Sequence, residues 1–404
     1  MTPELLSPAG NFEKLCAALR YGADAVYLAG QMFGMRAGAD CFDNDGLKKA
    51  VQYCHAHGKK VYLALNTMPH PNEYPCLENY LRELEPVPFD AYIVADLGVM
   101  SKVKEISPER EIHISTQASV VSADTALMYY KLGARRVVLS RELTLDEIKK
   151  IRSQIPEDLE LEVFIHGAMC VSYSGRCLIS NYFTNRDANR GACAQPCRWV
   201  YEITEPSRRD IPLGIEQNSQ GTFLFGSKDL CMIEHIPQLL DSKVKSFKIE
   251  GRMKSVYYAA VTANTYRMAM DAYLRDGDNY RFDPAWRTEL ESVSHRQYDT
   301  GFFFDRPMDD AKIASDSGYI KPVSYIGDCI SYDADSRLAC FVQKNKLCVG
   351  QTAQILSPGY TGRQFTVEKM FDEDMQPISD CPHPFMKFFI KMPFEISPGD
   401  ILRA

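Results

Sequence analysis

The chain has 404 residues, of which 45% are hydrophobic and 25% charged, as in an ordinary folded protein. It contains no apolar run of the roughly 20 residues that a membrane helix needs. Its N-terminus lacks the basic start and apolar core of a secretion signal. We therefore expect a cytoplasmic protein without membrane contacts. The formal net charge of −7 argues against a broadly basic surface that coats RNA.

Short apolar runs alternate with helical patterns from the start of the chain. Runs rich in β-branched and aromatic residues predict eight strands, at 5–7, 25–28, 61–65, 92–94, 112–114, 137–139, 161–165 and 246–249. Helices are predicted after the capping residues Asn11 and Ser122 and at 46–57, 77–84, 143–151 and 256–274. Eight such alternating units indicate a parallel sheet closed into a (β/α)8 barrel. An open doubly wound sheet is the alternative, but no Gly-x-Gly-x-x-Gly follows the first strand.

The predicted elements divide the chain into an α/β barrel at 1–275, a connector at 276–314 and a small β-barrel domain at 315–404. The longest gap between strands, 167–245, is an insert after strand seven. Because active sites of such barrels lie at the carboxyl ends of the strands, we expect this insert on the catalytic face. The terminal domain shows short runs of alternating apolar and polar residues separated by turns. Its role is either that of a structural cap or that of a binding surface for nucleic acid or protein.

Five of the 13 cysteines fall within this insert: Cys170, Cys177, Cys193, Cys197 and Cys231. In a reducing compartment, clustered cysteines are more often metal ligands or catalytic groups than disulfides. Only Cys193 and Cys197 have the short spacing of a zinc knuckle. The wide spacing of the others suits an iron–sulfur cluster held by several loops. Spacing alone leaves iron–sulfur, zinc and no metal open.

Polar residues that follow the strands are candidates for catalysis or binding. His166 is a candidate acid–base group or a structural hydrogen-bonding group. Glu162 and Glu250 lie on neighbouring strands seven and eight, so they could share proton chemistry or pair with a basic residue such as Arg252. The other pocket-lining candidates are Asn66, Asp96, Gln117, Arg141 and Glu142.

Cationic residues accompany the cysteines. Residues 170–260 hold 12 Lys and Arg against 9 Asp and Glu, although the whole chain is acidic. Guanidinium groups bind carboxylates and phosphates through paired hydrogen bonds, which favours an anionic small molecule or RNA as ligand. A solvated or internally paired set is the alternative. The predicted substrate-binding arginines are Arg186, Arg190, Arg198 and Arg252.

Ordered motifs surround the cysteines and the last barrel strand. They read Glu162-x-Phe164-x-x-Gly167-Ala-Met-Cys170, Gly175-x-Cys177-x-Ile179-Ser180, Asn189-Arg-Gly-x-Cys193-x-Gln-Pro-Cys197-Arg198, Ser227-Lys-Asp-Leu-Cys231 and Ser246-Phe-Lys-Ile-Glu-Gly-Arg-Met-Lys254. With the opening Leu6-Ser-Pro-Ala-Gly10, they resemble peptidase family U32, the collagenase-like peptidases. The resemblance covers the whole predicted barrel.

The resemblance implies more than peptide hydrolysis, since this family includes proteins of tRNA, rRNA and ubiquinone hydroxylation. It implies oxygen-independent hydroxylation with a [4Fe-4S] cluster and with prephenate, a small dianionic co-substrate, as hydroxyl donor. Length and the terminal β domain look most like the members that form 5-hydroxyuridine at the wobble position of tRNA. A partner protein of the same family is a further expectation.

The resemblance also implies a ligand set for the cluster. The pattern of one group of quinone-hydroxylating members falls on Cys170, Cys177, Cys193 and Cys231. A second pattern in the family would use Cys193 and Cys197.

Two other functions compete with hydroxylation. A protease is one, although the chain has neither a His-Glu-x-x-His nor a Gly-x-Ser-x-Gly motif; its candidate thiol–imidazole pair is Cys170 with His166. A non-catalytic RNA-binding protein, in which a metal only folds the insert, is the other.

Overall fold

Eight parallel strands form a closed barrel, which confirms the predicted α/β fold. The computed structural model describes residues 2–35, 41–170, 172–199, 217–218, 221–222, 228–304 and 319–404. The strands up to residue 304 are β1 (Glu4–Pro8), β2 (Ala25–Leu28), β3 (Lys60–Leu65), β4 (Ala91–Val94), β5 (Glu111–Ile114), β6 (Arg136–Val138), β7 (Glu160–Ala168), β8 (Gln217–Asn218), β9 (Gly221–Thr222), β10 (Asp229–Cys231), β11 (Ser246–Ile249) and β12 (Tyr298–Asp299). The barrel consists of β1 to β7 and β11, and it closes because β11 pairs with both β1 and β7.

Ten α-helices are described, and most of them cover the outside of the barrel. They are α1 (Phe12–Arg20), α2 (Asn44–Ala56), α3 (Tyr74–Leu84), α4 (Leu97–Ile106), α5 (Ala123–Lys131), α6 (Leu145–Gln154), α7 (Ile179–Thr184), α8 (Ile236–Asp241), α9 (Val256–Asp276) and α10 (Pro284–Glu291). The predicted caps are confirmed, because the side chains of Asn11 and Ser122 accept hydrogen bonds from backbone amides in the first turns of α1 and α5. The sequence analysis did not predict α4, α7 or α8.

A layer of charged side chains fills the amino-terminal half of the barrel interior. Arg136, only 2% exposed, forms ion pairs with Glu4 at 2.6 Å, Glu160 at 2.7 Å and Glu162 at 3.1 Å. Glu162 also pairs with Lys248 Nζ at 2.7 Å. Buried charges are tolerated only when they are paired and hydrogen-bonded. We call these five residues the buried ion layer.

Part of the predicted insert extends the barrel sheet. Strand β10 pairs antiparallel with the end of β7, where Cys231 lies opposite His166, and β12 continues the sheet beyond β10. The sheet therefore fixes Cys170, which follows β7 closely, more firmly than the loops that carry the later cysteines. Residues 200–216, 219–220 and 223–227 of the predicted insert lie outside the described residues.

The terminal domain is one antiparallel sheet of eight strands that wraps around its own core, a half-barrel in place of the predicted small barrel. Its strands are β13 (Tyr325–Asp333), β14 (Leu338–Gln343), β15 (Thr352–Leu356), β16 (Arg363–Thr366), β17 (Met370–Phe371), β18 (Pro377–Ile378), β19 (Lys387–Lys391) and β20 (Ile401–Arg403). Buried Arg403 pairs with Glu289 of α10 at 2.6 Å, and Arg20 of α1 pairs with Asp400, also at 2.6 Å. These contacts fasten the terminal domain to the outer helices of the barrel.

The predicted boundaries at 275 and 314 stay predictions, and residues 305–318 of the predicted connector fall in a gap of the described chain. Within the described ranges, none of the helices combines the length and the apolar character needed to span a bilayer.

Candidate active site at the mouth of the barrel

A partly open cavity lies at the carboxyl ends of the barrel strands, where active sites of such barrels are found. It holds about 610 Å³ of empty space. Most barrel strands contribute to its lining, which consists of Tyr27, Met35, Ala64, Asn66, Ile93, Ser115, Thr116, Gln117, Arg141, Phe164, Ser174, Lys248, Glu250 and Arg252. The structure thus brings together five of the candidate residues: Asn66, Gln117, Arg141, Glu250 and Arg252.

Two other pocket candidates serve the local fold instead. The carboxylate of Asp96 accepts a hydrogen bond from the backbone amide of Val99 at 3.0 Å, so it caps α4. The carboxylate of Glu142 accepts a hydrogen bond from the hydroxyl of Ser140. A polar residue just after a strand can cap the next helix as readily as it can line a pocket, and the sequence did not separate the two roles.

Glu162, a predicted proton-transfer residue, lies below the cavity within the buried ion layer and is 1% exposed. Burial alone would raise the pKa of its carboxyl group, but Lys248 and Arg136 outweigh burial and lower that pKa. Glu162 is therefore ionised, and it holds the ammonium group of Lys248 at the floor of the cavity. There Lys248 Nζ lies 4.5 Å from the ring centroid of Tyr27 and 5.5 Å from that of Phe164.

Charge in the cavity favours an anion. Its lining holds three cations, Arg141, Lys248 and Arg252, and one carboxylate, Glu250. Glu162 pairs with Lys248 from below, so the lining and this carboxylate together carry a net charge of +1. The carboxylate of Glu250 accepts a hydrogen bond from the hydroxyl of Tyr27 at 3.3 Å. An anionic ligand would balance this excess of positive charge, whereas a neutral peptide would not.

The segment between Cys170 and Cys177 lies across the edge of the cavity. Arg141 donates hydrogen bonds to the backbone oxygen of Ala168 at 2.9 Å and to the hydroxyl of Ser174 at 3.2 Å. A Cβ at Gly175 would stand 2.9 Å from the backbone oxygen of Gln117, so this close approach requires glycine. Arg141 therefore links the cavity to the cysteines.

Sequence reasoning did not single out Tyr27 or Ser174 as site residues. Tyr27 alternates with apolar neighbours on a barrel strand, and that period of two is the signal that could have placed it inside the barrel. Ser174 lies in a loop, where no periodicity predicts which way a side chain points.

Four cysteines near the barrel mouth influence one another electrostatically. Burial raises the pKa of the Cys197 thiol, and Arg198 partly opposes that rise. Three further thiolates add to the rise: Cys170, Cys193 and Cys177. The backbone amide of Gln195 donates a hydrogen bond to Cys193 Sγ at 3.3 Å, a contact that favours the thiolate form.

Cys231 lies in different surroundings. It is buried on β10, and the hydroxyl of Tyr266 is 3.9 Å from its sulfur. Burial raises the pKa of its thiol to about 11, and the charges that act on it are those of Arg287 and Glu234. The charges that act on the two thiols therefore group Cys197, and not Cys231, with Cys170, Cys177 and Cys193, whereas the family pattern favoured Cys231.

His166, a predicted catalytic residue, is buried on the side of β7 that faces α9. Its ring lies 5.5 Å from the Tyr266 ring and 5.3 Å from the Tyr298 ring, between centroids. Burial lowers the pKa of His166 to about 3, so the ring is neutral at physiological pH. Its place in the packing between barrel and helix is that of a structural residue.

This buried histidine gives a pH prediction. The folded-state pKa of about 3 lies below the ordinary value, so stability is full above the unfolded pKa and falls as protons bind the unfolded chain. Between pH 7 and pH 5 we expect a loss of about 2 kcal/mol in the free energy of unfolding from this group. Urea denaturation at pH 7 and pH 5 measures the free energy of unfolding. Its decrease between the two pH values should be about 2 kcal/mol smaller in His166→Gln than in the natural protein. Parallel pH curves for the two proteins would contradict it.

The predicted substrate-binding arginines do not form one group. Arg252 lines the cavity and is 4% exposed. Arg190 forms an ion pair with Glu73, and Arg198 donates hydrogen bonds to the side chains of Gln195 and Tyr319. Arg186 is exposed on the cysteine segment, away from the cavity lining.

The chemistry of the donor set fits an iron–sulfur cluster. Soft thiolates select zinc, copper(I) or iron–sulfur clusters. Amide hydrogen bonds to sulfur, of the kind that Cys193 accepts, are a usual feature of cluster sites. In the parts of the chain that the structure describes, no three His, Cys, Asp or Glu side chains already converge on a single-ion site.

Fold and site together define a (β/α)8-barrel protein with a cationic cavity at its mouth and a thiolate-rich segment beside it. The chain belongs to peptidase family U32, since the model of that family matches residues 10–312 and the model of its C-terminal domain matches residues 321–403.

Relatives with curated names are similar over most of the chain. The tRNA hydroxylation protein P1 of Bacillus subtilis is 34% identical over 401 residues, which cover 99% of this chain and 94% of the relative. The tRNA hydroxylation protein P of Escherichia coli is 35% identical over 412 residues, covering 91% and 89%. The Collagenase of Porphyromonas gingivalis is 31% identical over 366 residues, covering 88% and 86%.

Proposed function

We propose that this protein hydroxylates uridine of tRNA to 5-hydroxyuridine at the wobble position, without dioxygen, using a [4Fe-4S] cluster and prephenate as hydroxyl donor. The observation that carries the proposal is similarity along nearly the whole chain to proteins named for tRNA hydroxylation. The cationic cavity beside a thiolate-rich segment supports it.

Cys170, Cys177 and Cys193 would hold the cluster, with Cys197 or Cys231 as fourth ligand. A bound cluster would supply one-electron redox chemistry or a Lewis-acidic iron. Replacing the C5–H bond of uridine by C5–OH, with hydroxide as the oxygen source, releases one proton and two electrons. The reaction therefore needs an external electron acceptor as well as the hydroxyl donor, and a partner protein of the same family would suit that role.

The cavity would bind the dianionic co-substrate. Arg252 and Lys248 would pair with its two carboxylates, and the amide groups of Asn66 and Gln117 would orient it. Glu162 would act through Lys248 as a positioning residue, because it fixes the ammonium group at the cavity floor. Glu250 is then the cavity group that could accept a proton, with Tyr27 as its hydrogen-bond donor.

Nucleoside analysis tests this function. In a strain that lacks this protein and any second family member, we expect tRNA without 5-hydroxyuridine-type nucleosides by mass spectrometry. The natural gene should restore them. The Arg252→Met variant, which lacks one cavity cation, should restore a nucleoside level that is lower by a factor of about ten or more. Unchanged nucleosides in the deletion strain would refute the proposal.

Peptide hydrolysis finds less support from the geometry. A cysteine protease needs an activated thiolate beside a histidine. His166 is buried next to Cys231, whose thiol has a raised pKa, while Cys170 is exposed. Cleavage of gelatin or casein that is lost on Cys170→Ala, in a protein without iron, would favour the protease instead.

A further inference from the structure

Exposed aromatic side chains lie together on the segment that carries the cysteines. Tyr182 and Phe183 are on α7, and Trp199 follows the short turn Pro196–Arg198. Their exposed fractions are 85%, 59% and 41%. The rings of Phe183 and Trp199 meet edge to face, with centroids 6.2 Å apart. We call these three residues the aromatic surface.

The aromatic surface is held in place by the fold of its own segment. The hydroxyl of Ser180, which is buried in α7, accepts a hydrogen bond from the backbone amide of Ala194 at 3.0 Å. This bond ties the helix to the loop that leads to Trp199. Leaving a large aromatic side chain in water forgoes the favourable free energy of burying it. Grouped exposed aromatic residues of this kind mark sites of interaction.

The charge around the aromatic surface is positive. Residues 172–199 contain four arginines and one aspartate, a net charge of +3, in a chain whose net charge is −7. Arg190 is occupied by Glu73, whereas Arg176 and Arg186 are exposed. A ligand that matches both features offers flat apolar faces and negative charge at once. Single-stranded nucleic acid does so, because its bases stack on aromatic rings and its phosphates pair with arginines.

We propose that the aromatic surface stacks the unpaired bases of an RNA loop and presents them to the thiolate-rich segment. This inference rests on the proposed function and adds the place where RNA is bound. Cys177 precedes α7, Cys197 lies within the turn before Trp199 and Cys193 lies three residues before that turn, so a base stacked here is close in the chain to these cysteines. Bases within a duplex are already stacked on one another, which restricts the surface to single-stranded nucleotides.

RNA affinity tests the aromatic surface directly. The probe is an unmodified stem-loop RNA with uridines in its loop, and fluorescence anisotropy measures its Kd with the full chain purified without air. Tyr182→Ala and Trp199→Ala should each weaken binding about tenfold. Trp199→Phe should retain most of the affinity because its ring still stacks. Tyr360→Ala, which removes a 58% exposed aromatic ring of the terminal domain, is the matched control and should bind normally.

The salt dependence tests the arginines. Arg186→Gln should reduce the slope of log Kd against log salt by about 0.7, the value for one phosphate contact on a single strand. Equal affinities of Tyr182→Ala, Trp199→Ala and the natural protein would overturn the aromatic surface while leaving hydroxylation, which nucleoside analysis measures separately, intact. A change from dimer to monomer in Tyr182→Ala with unchanged RNA affinity would instead show contact between copies of this chain. Absence of any RNA binding by the natural protein would count against both proposals.

Discussion

Cys193→Ala should abolish iron binding and tRNA hydroxylation together. The natural protein, purified without air, is expected to be brown with broad absorption near roughly 400 nm, as iron–sulfur proteins are. Removing one thiolate from a four-thiolate set leaves one iron without its ligand, so absorption, bound iron and 5-hydroxyuridine should all be lost. Cys348→Ala, at a half-buried cysteine of the terminal domain, should retain them. Full iron content in Cys193→Ala would contradict the cluster assignment.

The same measurement decides the fourth ligand. The electrostatic neighbourhood of Cys197 favours a loss of iron in Cys197→Ala and retention in Cys231→Ala. The opposite result would show that the family pattern holds and that β10 shifts when the cluster binds. If the natural protein contains zinc and no iron, the metal has a structural role.

Arg136→Met should lower the free energy of unfolding by about 3–5 kcal/mol, because it leaves three carboxylates of the buried ion layer without their shared cation. Methionine fills a similar volume but donates no hydrogen bond. Urea denaturation measures the change. Arg275→Met breaks an exposed ion pair with Asp276 and should leave the free energy of unfolding nearly unchanged.

The pH dependence sharpens this test. In the natural protein the pKa values of Glu4 and Glu162 are lowered: burial alone would raise them, but Arg136, together with Lys248 at Glu162, outweighs it. These carboxylates therefore contribute stability above their unfolded pKa, and the contribution is lost as the pH falls through their folded pKa. The difference between Arg136→Met and the natural protein should be largest at neutral pH and shrink below about pH 4.5. A difference independent of pH would indicate lost packing and not lost ion pairing.

Much of the barrel could be predicted from the sequence, since its strands are short runs rich in β-branched and aromatic residues and six of the eight are followed by a helix pattern. The caps at Asn11 and Ser122 also followed from local residue types, because a capping side chain bonds the next turn of its own chain. Strand β10 could not be predicted this way. Its three residues acquire a strand conformation only by pairing with β7, which lies far away in sequence.

The candidate site was harder to predict than the fold. Residues such as Gln117 and Arg252 were found because polar residues after barrel strands point to the mouth. His166 also lies near the carboxyl end of a barrel strand, yet its side chain faces α9 and not the cavity. The pairing register between β7 and β11 shifts at this point, between Lys248 and Ile249. A one-residue change of this sort reverses the side that a side chain faces, and no residue pattern announces it.

The pairing of β1 with β11, which closes the barrel, can form only late in synthesis of the chain. A ribosome makes the chain from its first strand, yet that strand gains its second barrel neighbour only once Ser246–Ile249 has emerged. All five cysteines of the insert are synthesised before β11, when the barrel cannot yet have closed. Their thiols thus meet the cell's metals and oxidants before the barrel has closed. Under the proposed cluster assignment, iron delivery and reducing conditions during translation should govern the yield of active protein.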